Sequence, residues 1–158
     1  MTLTAAAERA IDAPAADLYT YVSDFVAHHP HFLPPAFADF AVESGGVGVG
    51  TVTSSTFTIG GRTQHVRTLV TRTEPGRLIE EAVLGRPMTT MFTFVRTADA
   101  TTTARIETTW RPAGGLSGLL ERLFAPRALA RIYAEELELL DRYAAERQDA
   151  VPGAAAAA

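Results

Sequence analysis

The feature that most constrains this chain is an unbroken block from Phe37 to Pro112, rich in Thr, Val and Phe. Glycines cut it at Gly45-Gly46, Gly60-Gly61, Gly76 and Gly85. Runs of about eight to twelve residues between turn signals are the texture of an antiparallel meander. The spacing predicts strands over 37–44, 49–59, 62–73, 77–84, 88–97 and 102–111, with Asp99-Ala100 turning between the last two. On this phase Phe92 and Phe94 share one face of their strand. Ala104, Ile106, Thr108 and Trp110 share one face of the next, and Val66 and Val70 lie on a face with Gln64 and Thr68.

A sheet with one apolar face needs a cover. The sequence supplies it directly after the meander. Gly114-Gly115 closes the sheet, and Leu116, Leu119, Leu120, Leu123 and Phe124 form a short apolar helical stripe. Pro126 is expected to interrupt this stripe and to start a new helix. Leu129, Ile132, Tyr133, Leu137 and Leu140 then continue at three- and four-residue steps, with Glu135, Glu138, Asp141 and Arg142 on the other side, to about Arg147. Ahead of the meander, residues 2–11 read as a strand, although Ala5 to Ala7 weaken it. Asp12-Ala-Pro14 turns into a short helix carrying Leu18, Tyr21, Val22 and Phe25 and ending near Asp24. Residues 26–35, with three prolines and three histidines, predict a second short helix or turn. The class is α+β, with about seven strands. Residues 1–150 are predicted to form one domain and 151–158 a disordered tail.

Composition narrows the chemistry. The apolar share of 47% and charged share of 20% describe a chain that folds on its own core. There is no cysteine, which excludes disulfides and thiolate nucleophiles. Every basic residue is Arg, which excludes Schiff-base lysine chemistry. The net charge of −4 argues against nucleic acid as a partner. No run of 18 apolar residues spans a membrane, and no signal peptide is evident, so a cytoplasmic protein is expected. Phosphate-binding glycine loops and the GxSxG and HExxH motifs are missing, and no cofactor is predicted.

Several side chains carry possible chemistry. His28, His29 and His31 form the densest titratable cluster, with Asp24 as the nearby carboxylate. They suit an acid–base or cavity-mouth role, or ordinary turn packing; no metal site is predicted. Trp110 either packs the core or lines a cavity. Tyr133 faces the sheet, and its hydroxyl is a polar handle. One of Glu80 and Glu81 must point inward if their strand is regular, and phase with Leu78, Ala82 and Leu84 favours Glu80. Arg62, His65, Arg67 and Arg72 lie on one strand, with His65 and Arg67 facing outward unless a bulge flips them. Arg105, Glu107 and Thr109 read as an exposed face. Met88 and Met91 either flank a cavity or pack the core.

Four segments carry a family resemblance. They are Ile11-Asp-Ala-Pro14 with its aromatic-bearing helix and Asp24, and Val49-Gly50-Thr51 opening a strand. Val70 followed by Glu74-Pro75-Gly76-Arg77-Leu78 is the third, and the terminal helix with Leu137, Leu140 and Tyr143 the fourth. In this order the chain resembles the START-like, or SRPBCC, superfamily and its bacterial polyketide cyclase/dehydrase-like branch, over roughly residues 5–147. Where that family often has Trp, this chain reads His-His-Pro-His-Phe. The resemblance implies a helix-grip fold, a curved sheet wrapped around the C-terminal helix, with a cavity for an apolar small molecule such as a polyketide, lipid or aromatic metabolite. The expected cavity residues are Phe92, Phe94, Ile106, Trp110, Leu129, Ile132, Tyr133 and Leu137, with a mouth near His28–Pro35. The alternative is a polyketide cyclase or aromatase-type enzyme in the same cavity, with Glu80, Tyr133 and His31 as its catalytic candidates. Monomer and homodimer both remain open.

Overall fold

The computed structural model describes residues 1–150; the expected tail at 151–158 lies outside the described residues. Its sheet has seven strands: β1 (Leu3–Ile11), β2 (Phe37–Ser44), β3 (Val52–Ile59), β4 (Arg62–Glu74), β5 (Leu78–Val83), β6 (Met88–Ala98) and β7 (Thr101–Trp110). All neighbours pair antiparallel, in the order β1-β7-β6-β5-β4-β3-β2. Strands β2 to β7 are therefore a simple meander, and β1 joins its far edge by pairing with β7. Helix α1 (Ala15–Ser23) and a 3-10 turn at His29–Phe32 connect β1 to β2. Helix α2 (Gly115–Asp149) crosses the concave face. This is the helix-grip architecture expected from the sequence.

Where α2 sits decides everything else. Its buried stripe is Leu129, Tyr133, Leu137, Leu140 and Ala144. The helix lies mainly over β1, with lighter contact to β7 and β3. Small side chains make that approach possible. Ala5 and Ala7 of β1 and Ala104 of β7 lie in the core beneath it. The alanines that weaken β1 as a strand are thus the residues that seat the helix. Farther across the sheet the inward side chains are larger and spaced apart, and the helix does not reach all of them.

Pro126 does not end the helix. Helix α2 runs 35 residues through it. Proline removes one backbone donor, but this turn is solvated, and the Arg127 guanidinium donates to the Leu123 carbonyl at 3.1 Å. Burial of the following stripe outweighs the local cost.

The glycine loop before β3 is pinned to the end of α1. Phe25 N–H donates to Gly46 O at 2.8 Å and Gly48 N–H to Ser23 O at 3.1 Å. Gly45 has φ +72°, and a Cβ there would lie 2.9 Å from the Thr51 backbone. That position needs glycine. The loop thereby fixes the chain that follows α1, including the His29 turn.

Because Leu137 is 1% exposed on the buried face of the helix, Leu137→Ala is expected to lower stability by about 2–5 kcal/mol. Chemical denaturation measures it. A loss below about 1 kcal/mol would mean the helix is not anchored here.

Candidate functional site

The off-centre helix leaves a cavity over β3 to β6. It measures about 100 Å³ as space open to the centre of a water molecule. Phe57 on β3, Val66 on β4, Val83 on β5 and Phe92 on β6 supply apolar floor. Leu129 and Tyr133 of α2 form the back wall, and Phe25, Leu33, Phe37 and Phe40 close the side nearest the 3-10 turn. Arg86, in the β5–β6 turn, is an exposed residue of the rim.

Several polar groups on this wall are satisfied within the protein. Thr53 and Thr68 share a cross-strand hydrogen bond of 2.7 Å. Thr90 and Thr108 share another of 2.7 Å, and Thr108 also bonds the Tyr133 hydroxyl. Burial raises the Tyr133 pKa well above its ordinary value, so the phenol remains protonated. Tyr133 does face the cavity, as a neutral hydrogen-bonding group.

Ser55 and Gln64 on the same wall make no side-chain hydrogen bond among the described residues, and two carboxyl groups share that property. Glu81 is 8% exposed and Glu136 is 3% exposed, and both line the cavity. Neither makes a side-chain hydrogen bond among the described residues, yet no fully enclosed polar atom lacks a partner. Their oxygens therefore open into the cavity itself. Burial pushes Glu81 up to about 7. Burial, and secondly the charge of Glu81, push Glu136 up to about 8.

His29 completes the group. It is stacked on Phe25 at 4.8 Å between ring centroids, with Phe32, Phe40 and Phe92 around it. Its Nδ1 lies 2.7 Å from the Val22 carbonyl. A carbonyl only accepts, so Nδ1 carries the proton and Nε2 keeps its lone pair. Nε2 faces Glu136 Oε1 at 3.7 Å. Burial pulls His29 down to about 4. At neutral pH this is not an ion pair, because the imidazole is uncharged and the carboxyl is largely protonated.

The sequence-based candidates divide accordingly. Phe92, Leu129 and Tyr133 line the cavity. Phe94, Ile106, Trp110 and Leu137 are buried in the filled part of the core outside the cavity wall, and Ile132 is partly buried against that core. Trp110 donates from Nε1 to Glu121 at 2.8 Å. Glu80 points outward, where it accepts from Thr71 Oγ1 at 2.9 Å. The sequence Leu78-Ile-Glu-Glu-Ala-Val-Leu84 has the same apolar–Glu–apolar pattern on both faces. The pairing Ile79↔Phe92 and Glu81↔Thr90 decides it, and puts Glu81 inside. His31 is exposed and stacks on Tyr143 at 5.6 Å, and His28 bonds the Tyr143 hydroxyl at 2.7 Å. Neither lines the cavity; His29 does. His65 is exposed, and Arg67 is exposed and forms an ion pair with Glu43. The β4 bulge falls between Val70 and Arg72, beyond both. Glu136 escaped the sequence reading altogether. The signal was its place seven residues after Leu129, on the buried stripe. No group of three His, Asp or Glu among the described residues could hold a metal ion, and no helix among them is long and apolar enough to cross a membrane.

A curved sheet gripping one helix, with a polar-pointed cavity between them, defines a class of small-molecule-binding folds. Within it, this chain belongs to the family described as polyketide cyclase/dehydrase and lipid transport, whose model matches residues 2–145. The solution structure of the KanY protein is similar at 27% identity and TM-score 0.79, covering 91% of this chain and 98% of that one. The Zhui aromatase/cyclase from Streptomyces sp. R1128 shares the fold at 18% identity and TM-score 0.77, covering 95% and 98%. Norcoclaurine synthase from Thalictrum flavum shares it at 19% identity and TM-score 0.71, covering 92% and 88%. A comparison with curated protein sequences finds no match.

The buried acids also set a pH dependence. Carboxyls whose folded pKa is raised stabilise the fold fully below their unfolded pKa, and that stability falls as pH rises toward about 7 and about 8. His29, lowered to about 4, acts oppositely and gains as pH rises to its unfolded value. Above about pH 6.5 the histidine no longer compensates. The melting temperature is expected to fall between pH 6.5 and 8, and the Glu81→Gln/Glu136→Gln double variant to flatten that fall. An unchanged slope in the double variant would refute the raised pKa values.

Proposed function

We propose that the cavity binds an apolar, carbonyl-bearing small molecule of polyketide or aromatic type, and that Glu81 and Glu136 act on it as an acid–base pair. The observation that carries this reading is the pair of buried carboxyls, neither in a side-chain hydrogen bond, that open into one cavity beside Phe57, Phe92 and His29. A pocket used for apolar binding alone gains nothing from two desolvated acids, which cost stability unless a ligand uses them.

The roles follow from the environments. Glu136, the more strongly raised acid, donates its proton to a ligand carbonyl oxygen. Glu81, raised to about 7, is present in both forms near neutrality and accepts a proton from the carbon beside a carbonyl. The enolate so formed attacks the carbon of the carbonyl that Glu136 protonates, so one proton passes from carbon to Glu81 and one from Glu136 to the new hydroxyl. This is an intramolecular carbon–carbon bond formation in which protons balance between the two acids. His29 is a positioning residue. Its Nε2 lone pair faces Glu136 Oε1 at 3.7 Å and offers the Glu136 proton a second acceptor beside the ligand. Phe57, Phe92 and Leu129 fold the reactive chain so that its ends meet.

The family resemblance supports ligand binding, and the acid pair supports chemistry beyond it. Glu81→Gln and Glu136→Gln preserve shape. With a poly-β-carbonyl probe, binding to each variant is expected to stay within about threefold. Cyclisation should fall by about 100-fold or more, the scale of a lost general acid or base. Binding with no conversion by the unaltered protein would leave a carrier in place of an enzyme. Unchanged conversion in both variants would remove the acids from the mechanism. Phe92→Ala should weaken binding of the same probe about tenfold by opening the floor.

A further inference from the structure

One end of the molecule combines features that the cavity does not use. The first turns of α2 expose Leu116 at 77%, Leu119 at 51%, Leu123 at 51% and Phe124 at 66%. The β5–β6 turn, with Leu84 and Arg86, lies at the same end. Arg111 N–H donates to Pro87 O at 3.3 Å, Trp110 pairs with Met88, and Glu121 of α2 accepts from the Trp110 indole and the Ala113 N–H. Arg86, Arg111, Arg122, Arg127 and Arg131 are all exposed here. None forms an ion pair among the described residues. In a chain of net charge −4, the segments 84–88 and 110–131 hold these five arginines and one acid, Glu121. That acid is already engaged. The other acids of α2 begin at Glu135.

We propose that this end is a peripheral docking surface for an anionic lipid bilayer. Leu116, Leu119, Leu123 and Phe124 enter the interface, and the arginines lie at headgroup level. Two arguments select this occupant. The charge is complementary, since unpaired cations sit beside apolar side chains in an otherwise acidic molecule. The apolar residues also spread over roughly 140° of the helix, at about 100° per residue. Arg127 and Arg131 follow on the same outward face within two turns. An exposed apolar face that passes into arginines farther along the same helix suits insertion of its first turns, with the arginines left at headgroup level. Docking here would bring the cavity rim at Arg86 to the surface from which an apolar ligand partitions. This inference rests on the surface alone and holds whether or not the cavity acids do chemistry.

Vesicle flotation tests it, using the full chain with phosphatidylcholine vesicles and with vesicles containing phosphatidylglycerol. Binding is expected to the anionic vesicles, to weaken with salt, and to be at least tenfold weaker on phosphatidylcholine alone. Arg122→Gln and Arg131→Gln should each weaken it about fivefold, and Leu123→Ser/Phe124→Ser should abolish it. Because these side chains are exposed, melting temperatures should be unchanged. Absence of binding to either vesicle type would overturn the proposal. So would self-association, measured by sedimentation, that the Leu123→Ser/Phe124→Ser variant removes while vesicle binding stays absent; that result assigns the face to a second copy. Binding to an acidic protein but not to anionic vesicles would likewise overturn it.

Discussion

The structure depends on one packing choice: α2 lies over the alanine-lined edge of the sheet and not along its middle. Ala5 and Ala104 are buried where the helix comes closest. Leu137, Leu140 and Ala144 fill that contact, and the core there is closed. A single helix cannot also cover β3 to β6, so their inward side chains face open space. The cavity is the uncovered part of a sheet whose other part is well packed.

Two consequences follow for the site. Ile106 and Phe94 of the sheet and Leu137 of the helix belong to the filled core and lie outside the cavity wall. The residues of that wall are free to differ in chemistry, and Glu81 and Glu136 belong to it. An ionised carboxylate in such surroundings is expensive unless paired. Among the described residues neither carboxyl pairs with an arginine, and Arg86 is exposed at the rim, so burial raises both pKa values well above the usual carboxylate range. His29 fits the same logic. Its proton is committed to the Val22 carbonyl at 2.7 Å, and its aromatic surroundings deny it a second one. The result is three neighbouring titratable groups: near neutrality Glu136 is largely protonated, Glu81 is present in both forms, and His29 is uncharged with a free lone pair.

Much of the fold was legible because periodicity alone carries it. The Thr- and Val-rich runs between glycines located β2 to β7 to within a few residues, and the Leu129–Leu140 spacing located the buried face of α2. Pro126 misled because the rule for prolines concerns the helix alone, and here tertiary packing of the next turns prevails. The site was less legible for a specific reason. Glu81 sits in a strand whose two faces read alike, so its direction depends on register with β6, which local sequence does not encode. Glu136 was hidden by the habit of assigning acids to the solvated face. Trp110 and Phe94 face inward as expected, but inward in this fold means two different places, and only the position of α2 tells them apart.

The central claim is that Glu81 and Glu136 are cavity acids whose titration burial has raised into the neutral range. Carbon-13 NMR of the labelled glutamate carboxyls, titrated from pH 4 to 9 and assigned with the Gln variants, tests it most directly. Two resonances should titrate late, near 7 for Glu81 and near 8 for Glu136. If every glutamate has completed its titration by about pH 5.5, as unperturbed carboxyls do, the cavity holds two ordinary carboxylates and the account is wrong.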